Sequence, residues 1–219
     1  MLKFRRMSEA DREILKNRCR DILHGTESFT YLSCIYDTEE FFWCGVDERD
    51  EIKTLIMNTG DGNFPVFGEE IPSFLTIDKR CTMVYGGTEI VADDEVTELE
   101  NRRIGEFYEL YSSSHYMGFD DKIRYVNTLH CKNKGFCKFF GIVRNDNLVS
   151  VSAVTAINDR FALIGNVFTI QSRRNEGLAE KCVKKCIEFS LTHGKTPFLY
   201  CEENMREYYK KSGFEEIYE

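Results

Sequence analysis

Hydrophobic and polar positions along this chain switch between a helical and a two-residue period. Ser8 followed by Asp11, with Ile14, Leu15, Cys19, Ile22 and Leu23 at helical spacing, predicts an N-capped amphipathic helix that stops at His24-Gly25. From Phe29 to Asn58 the residues turn β-branched and aromatic. They predict strands at 40–46 and 52–58, joined as a hairpin through the polar Asp47-Glu48-Arg49-Asp50-Glu51. Thr59 to Asn63 reads as a loop and 81–85 as a further strand. Gly86-Gly87 and the acidic Asp93-Asp94-Glu95 after it place a junction near residue 88. The chain divides there into an N-terminal α/β region, 1–87, and a second unit, 88–219.

In the second unit Val96, Leu99, Arg103, Ile104, Phe107, Tyr108 and Tyr111 keep a helical period, and Asp120 caps a helix through Ile123, Val126 and Leu129. The linker Ser112 to Gly118 between them is expected to be exposed. Strands 139–144, 148–156 and 161–169, joined by Asn145-Asp146-Asn147 and Asn158-Asp159, predict an antiparallel meander. A helix opens around Arg174 to Gly177 with Leu178, Ala179, Cys182, Val183, Cys186, Ile187 and Leu191 on one stripe, and ends at His193-Gly194. A strand at 198–201, a helix at 204–212 and a strand at 214–218 complete the order. The fold class is α/β (α+β), a mixed, mostly antiparallel sheet with flanking helices and one parallel pair around the long helix.

Composition narrows what such a fold can do. Of 219 residues 42% are hydrophobic, enough for a packed core, and 29 Lys+Arg against 37 Asp+Glu give a net charge of -8. That balance excludes a broad basic footprint for nucleic acid or an anionic membrane. Apolar stretches such as 148–157 fall far short of the roughly 20 residues that span a bilayer, and the start Met1-Leu2-Lys3-Phe4-Arg5-Arg6 has no signal-peptide character, so a cytoplasmic location is expected. The nine cysteines are odd in number, lack a Cys-x-x-Cys pair and sit mostly in apolar runs, which predicts reduced core thiols. His130, Cys131 and Cys137 supply only three ligands on poor spacing, so no metal is expected.

The chemistry concentrates where the strand Val167-Phe168-Thr169 empties through Ile170-Gln171-Ser172-Arg173-Arg174-Asn175-Glu176-Gly177 into the helix starting Leu178-Ala179. A helix N-terminus gathers unpaired N–H groups, and Gly177 with small Ala179 lets a diphosphate approach the backbone. Arg173, Arg174, Lys181, Lys184 and Lys185 against Glu176 and Glu180 make the segment locally positive in an acidic protein.

Arg174, Gly177 and Ala179 fill the signature of an arginine or glutamine, two residues, a glycine, one residue, then glycine or alanine. In this strand-turn-helix context the segment resembles the GNAT superfamily of acyl-CoA-dependent N-acyltransferases, and the resemblance covers about residues 88–219. It implies acetyl-CoA as donor, with the diphosphate held by Arg173, Arg174, Asn175, Glu176, Gly177, Leu178 and Ala179, and Asn204 in the lead to the last helix. It implies a pantetheine arm paired along Val167, Phe168 and Thr169 where that strand leaves its parallel neighbour, with a bulge at Gly165-Asn166 aiming an N–H at the thioester oxygen. Tyr209, four residues before Gly213, holds the place of the tyrosine that protonates the departing thiolate, and is favoured over Tyr208. Asn175 stands where glycine is common, a substitution tolerated if its φ is negative or if it adopts αL, which Asn reaches at modest cost.

The acceptor base is not identified by sequence. Glu202 and Glu203 are candidates for it, and His115 and Tyr116 are candidates to contact the acceptor, each weighed against a solvated loop. The expected activity is acetyl transfer to a primary amine, on a small molecule or a peptide, by direct attack in a ternary complex. The alternative is a non-catalytic acyl-CoA-binding sensor or scaffold. Cys201 lies in an apolar strand and is expected in the core. The missing final hairpin of the family leaves a sheet edge to be completed by the N-terminal region or by a second copy in a homodimer. Residues 1–87 resemble a truncated second copy without the glycine signature. Their aromatic residues Phe41, Phe42, Trp43, Phe64, Phe67 and Phe74 are expected to pack against the catalytic half and shape the acceptor pocket.

Overall fold

The computed structural model describes residues 2–34, 42–57, 66–68, 80–114 and 121–217. Ser8 caps α1 (Glu9–Cys19) through a reciprocal box: Asp11 N–H donates to the Ser8 hydroxyl, and Asp11 carboxylate accepts from Ser8 N–H at 2.8 Å. The helix ends at Cys19, short of His24-Gly25, which belong instead to a 3-10 turn at Leu23–Gly25. Thr26–Cys34 then forms α2, where strand character had been expected from Phe29 onward. Phe29, Leu32, Thr26 and Thr30 of α2 are all buried, so packing overrides the propensity of its β-branched and aromatic residues.

With β1 (Lys3–Arg6), β2 (Phe42–Val46), β3 (Ile52–Met57) and β4 (Val66–Gly68), these helices form a first layer pair whose antiparallel sheet has the order β1-β2-β3-β4. The predicted hairpin is β2 and β3, closed by Asp47 carboxylate accepting from Arg49 and Glu51 N–H groups. Its core is Met7, Leu15, Leu32, Phe42, Cys44, Val46, Ile52 and Leu55. Phe42 is buried in this core, not against the other half, and Trp43 is 39% exposed with the Arg6 guanidinium over its ring, contrary to the expectation for the aromatic residues. Phe41, Phe64 and Phe74, the loop 59–63 and the segment 115–120 lie outside the described residues, as does the side chain of Phe67.

The second sheet has seven strands in the order β11-β5-β10-β9-β8-β7-β6. They are β5 (Cys81–Tyr85), β6 (Thr97–Glu98), β7 (Lys138–Arg144), β8 (Asn147–Ile157), β9 (Phe161–Thr169), β10 (Thr196–Cys201) and β11 (Phe214–Ile217). Among the described strands of this sheet only β9 and β10 run parallel. The meander appears where its turns predict it: Asn145 and Asp146 take φ of 51° and 61°, the left-handed pair a two-residue hairpin needs. Before it, α3 (Asn101–Ser114) begins later than the periodicity suggested, because Val96 and Leu99 are buried from the β6 region, and it absorbs Ser112 to Ser114 of the expected linker. The helix α4 (Asp121–Asn133) follows.

The helix α5 (Leu178–Thr192) ends at His193 with Gly194 at φ 67°, and α6 (Arg206–Lys211) is preceded by a 3-10 turn at Glu203–Met205. Both lie on one face of the sheet, over a core of Val154, Ala162, Ile164, Cys182, Val183, Cys186, Ile187 and Leu199. The opposite face packs Phe107, Phe139, Val151, Ala153 and Phe168 under α3 and α4.

The sheet crosses the junction near residue 88, since β5 precedes it in the chain yet sits between β10 and β11. The N-terminal region thus supplies an interior strand of this sheet, between β10 and the edge strand β11. The two halves are also tied at the β8–β9 turn. Asn158, 2% exposed, donates through Nδ2 to the Cys19 and Ile22 carbonyls at 3.1 and 2.8 Å, while its Oδ1 accepts from Arg160 and Phe161 N–H. Thr30 Oγ1 both donates to Ile157 C=O and accepts from Ile157 N–H.

Candidate acyl-CoA site

Strand β9 is paired on both sides only over its first half. Its parallel register with β10 ends at Ile164 opposite Leu199, while β9 continues to Thr169 and β10 to Cys201. On the other side, the register with β8 jumps from Val151 opposite Phe168 to Ala153 opposite Gly165. Asn166 and Val167 therefore stand against Ser152 alone, a bulge whose Asn166 has φ 52°. Gly165 sits beside it, and a Cβ there would lie 3.2 Å from the Thr155 methyl. Bulge and divergence leave one edge of β9, from Gly165 to Thr169, without a strand partner among the described residues.

The chain leaves that edge through a 3-10 turn, Gln171–Arg173, and an extended Arg174 with ψ 156°. Asn175 at φ 66° and Gly177 at φ 74° turn it into α5. Of the two conformations open to Asn175, negative φ or left-handed, it takes the left-handed one. Nothing lies within 4 Å of a Cβ built on Gly177, so backbone conformation, not crowding, calls for glycine there, and the space above it is open. The first helical bond of α5 runs from Lys181 N–H to Gly177 C=O, so the N–H groups of Leu178, Ala179 and Glu180 come before any intrahelical partner. Open space, converging donors and the positive end of a 15-residue helix suit a diphosphate.

Charge at this corner is more balanced than the local sequence suggests. Arg173 grips Glu176 in two bonds of 2.6 and 2.7 Å, Arg144 from β7 reaches Glu176 and Glu95, and Lys181 pairs with Asp93 at 2.7 Å and Glu95 at 3.2 Å. Hydrogen bonds from these cations hold the carboxyls of Glu176, Glu95 and Asp93 below the usual carboxylate range. Lys184 pairs with Glu180 and Lys185 with Glu188. Arg174 stays exposed, with one long bond of 3.4 Å to Thr169 C=O. The acidic run at 93–95, read from sequence as helix-start chemistry, instead braces the corner, a contact 86 residues apart that local spacing cannot reveal.

Tyr209 is 7% exposed and packs edge-to-face on Phe214 and Tyr208. Burial pushes its phenol pKa up, so the hydroxyl keeps its proton. Half-buried Tyr208 is raised the same way, first by burial and then by the Glu180 carboxylate near the start of α5. Asn204 is exposed in the 3-10 turn before α6. Glu202 and Glu203 are exposed, Glu203 pairing with Arg206, whereas His115 and Tyr116 lie outside the described residues.

All nine cysteines are free; eight are buried and Cys81 is half-buried. Burial raises Cys201 to about 11, as expected of a core thiol. Among the described residues no group of three or more His, Cys, Asp or Glu is placed to hold a metal, and no helix is long and apolar enough to cross a membrane.

The family model for the acetyltransferase (GNAT) family matches residues 104–214. The chain belongs to the GNAT acetyltransferases. No curated protein matches it by sequence. Among solved structures, an acetyltransferase from the GNAT family of Colwellia psychrerythraea shares 11% identity over 98% of this chain and 96% of its own, with a TM-score of 0.60. A GCN5-related N-acetyltransferase-like protein from Streptococcus suis 89/1591 shares 14% over 96% and 97%, with a TM-score of 0.55. A GNAT-family protein from Novosphingobium aromaticivorans DSM 12444 shares 17% over 63% of this chain, TM-score 0.51, and the chain spans 59% of that protein's length. At these identities the likeness is one of fold. Two of the three extend it over nearly the whole chain, so the GNAT likeness includes the N-terminal half.

Proposed function

We propose that this GNAT protein is an N-acetyltransferase that moves an acetyl group from acetyl-CoA to a primary amine by direct attack in a ternary complex. The observation that carries the reading is the unpaired edge of β9 running from the Asn166–Val167 bulge into the left-handed corner at Asn175 and Gly177. A strand edge offers a pantetheine chain backbone partners, and the corner offers its diphosphate amide donors. When bound, acetyl-CoA supplies an activated thioester. Val167, Phe168 and Thr169 would hold the arm, and Arg174 with the amides of Gly177, Leu178 and Ala179 the phosphates.

The chain's own groups then account for the chemistry. The bulge turns backbone N–H groups out of the sheet ladder, suited to the oxyanion that forms as the amine attacks. As the C–N bond is made and the C–S bond breaks, Tyr209 gives its proton to the thiolate and regains one from the nitrogen through solvent. Its buried, raised phenol arrives at that step protonated.

Incubating the protein with acetyl-CoA and a panel of primary amines, following thiol release and product mass, tests this. Acetylated amine in one-to-one ratio with thiol is the expected result. Tight CoA binding with no acetylated amine would favour the sensor reading instead.

A further inference from the structure

The nine thiols are not equivalent. Eight are buried, whereas Cys81, at the start of β5, is half-buried. In the antiparallel ladder of β5 and β10 it stands directly opposite Cys201, the last residue of β10. Both side chains therefore lie on one face of the sheet, in the core that holds Met83, Leu199 and Tyr209 under α5 and α6. The Cys201 thiol, which burial keeps protonated, hydrogen-bonds to the Cys81 sulfur. From α6 the Arg206 guanidinium, braced by Glu203 at 2.7 Å and Glu216 at 3.4 Å, donates to the same sulfur.

Opposed residues of antiparallel strands have Cα atoms about 4.5 or 5.5 Å apart, and a disulfide spans roughly 4.4–6.8 Å. The register thus holds these two residues where a bond can close with both strands in place. The other close pair, Cys34 at the end of α2 and Cys131 of α4, is 1% and 4% exposed, and no ladder sets its approach. Partial exposure makes Cys81 the thiol that a small oxidant in solution meets first.

We propose that Cys81 and Cys201 form a dithiol site for hydroperoxides, with Cys81 the thiol that attacks the peroxide and Cys201 the thiol that resolves it to a disulfide. In the first step the Cys81 sulfur bonds to one peroxide oxygen and the O–O bond breaks. The other oxygen leaves as water with the Cys81 proton, and Cys81 becomes a sulfenic acid. In the second, the Cys201 sulfur bonds to the Cys81 sulfur, the S–O bond breaks, and the hydroxyl leaves as water with the Cys201 proton. Two electrons pass from the dithiol to the peroxide, and a thiol reductant returns them. The disulfide would fasten the end of β10 to β5, beyond the last parallel pair of Leu199 with Ile164. It would thereby clamp the strand whose departure leaves the edge of β9 unpaired. The inference does not depend on acetyl transfer.

The test treats the folded, reduced full chain with increasing hydrogen peroxide, alkylates the remaining thiols under denaturing conditions and maps the peptides by mass spectrometry. The expected product is lighter by two hydrogen atoms, carries a Cys81–Cys201 link and keeps its circular dichroism spectrum. Dithiothreitol should restore all nine alkylatable thiols. In Cys201→Ser, Cys81 is expected to stop at a sulfenic acid that dimedone traps, and in Cys81→Ser, Cys201 should stay reduced at the same dose. The wild-type map decides the pairing even where a variant fails to fold. Cys81 driven to sulfinic acid with Cys201 still alkylatable would overturn the assignment. So would a first link elsewhere, such as Cys34 with Cys131, or a Cys81–Cys201 link that forms only once the chain unfolds.

Discussion

Among the described residues the N-terminal run β1-α1-α2-β2-β3-β4 and the later run β6-α3-α4-β7-β8-β9 present the same elements in the same order, each with its strands side by side in sequence order. They part company after the fourth strand. In the later run, β9 carries a bulge, feeds a left-handed glycine corner and gains a parallel neighbour, β10, that leaves it halfway. The next described strand after β4 is β5, which joins the other sheet between β10 and β11. The first six described elements thus lead to an unpaired strand edge in the later half, while those of the N-terminal half pack on the β8–β9 turn through Asn158 and Thr30. Topology alone does not distinguish the later half; the bulge, the splayed strand and the left-handed Gly177 do.

The largest way to sharpen the contrast is Tyr209→Phe, in the half with the corner. If Tyr209 is the acid for the leaving thiolate, kcat should fall by about 10²- to 10⁴-fold while CoA affinity, read by calorimetry, stays put. A fall in affinity matched by no change in kcat would return Tyr209 to the packing role its burial also fits.

Next is the seam. Asn158→Ala removes the donor to two carbonyls of the N-terminal half and the acceptor for two turn amides, and should cost about 3 kcal/mol in denaturant unfolding. If the halves unfold independently, the loss will appear in only one transition. A single shifted transition is expected, because β5 stitches the N-terminal chain into the second sheet.

A smaller effect is expected at the corner itself. Gly177→Ala meets no atom within 4 Å, so its penalty is the left-handed φ of 74° alone, about 1–2 kcal/mol. It should appear as a thermal midpoint lowered by about 2–8 °C, with CoA affinity weakened by up to about tenfold to the extent that the corner relaxes out of the left-handed region. An unchanged affinity would mean that the corner's shape does not matter to the ligand.

The smallest belongs to the N-terminal half, which holds its helix by charge. Asp11 takes bonds from Arg5 and Ser8, and the Arg5 guanidinium holds its carboxyl well below the usual range. A depressed carboxyl pKa stabilises the fold above the unfolded value, about 4, and that stabilisation is lost as pH falls toward the folded value. Asp11→Asn should thus melt below wild type at pH 7, and the gap should close on acidification below about pH 4. A gap constant with pH would show that the carboxylate charge contributes nothing.

Much of the later half was legible because its signals are local. Asn145-Asp146 demands its hairpin, Gly194 ends its helix, and Arg174, Gly177 and Ala179 mark their corner within six residues. The rest required contacts that no window of sequence holds. From Phe29 the composition turns strand-like, yet Thr26–Cys34 is helix, with Leu32 in the N-terminal core and Phe29 buried against Phe136. The insertion of β5 beside β10 depends on pairing across more than 100 residues, as does the meeting of His24 with Tyr200. Asp93 and Glu95 look like the start of a helix until Lys181 and Arg144 arrive from elsewhere in the chain.

The most direct measurement is a crystal structure of the protein with coenzyme A bound. The account predicts the diphosphate on the N–H groups of Gly177, Leu178 and Ala179 and the pantetheine arm laid along β9 from Gly165 to Thr169. Coenzyme A bound at another surface, with those amides turned to protein or solvent, would contradict it.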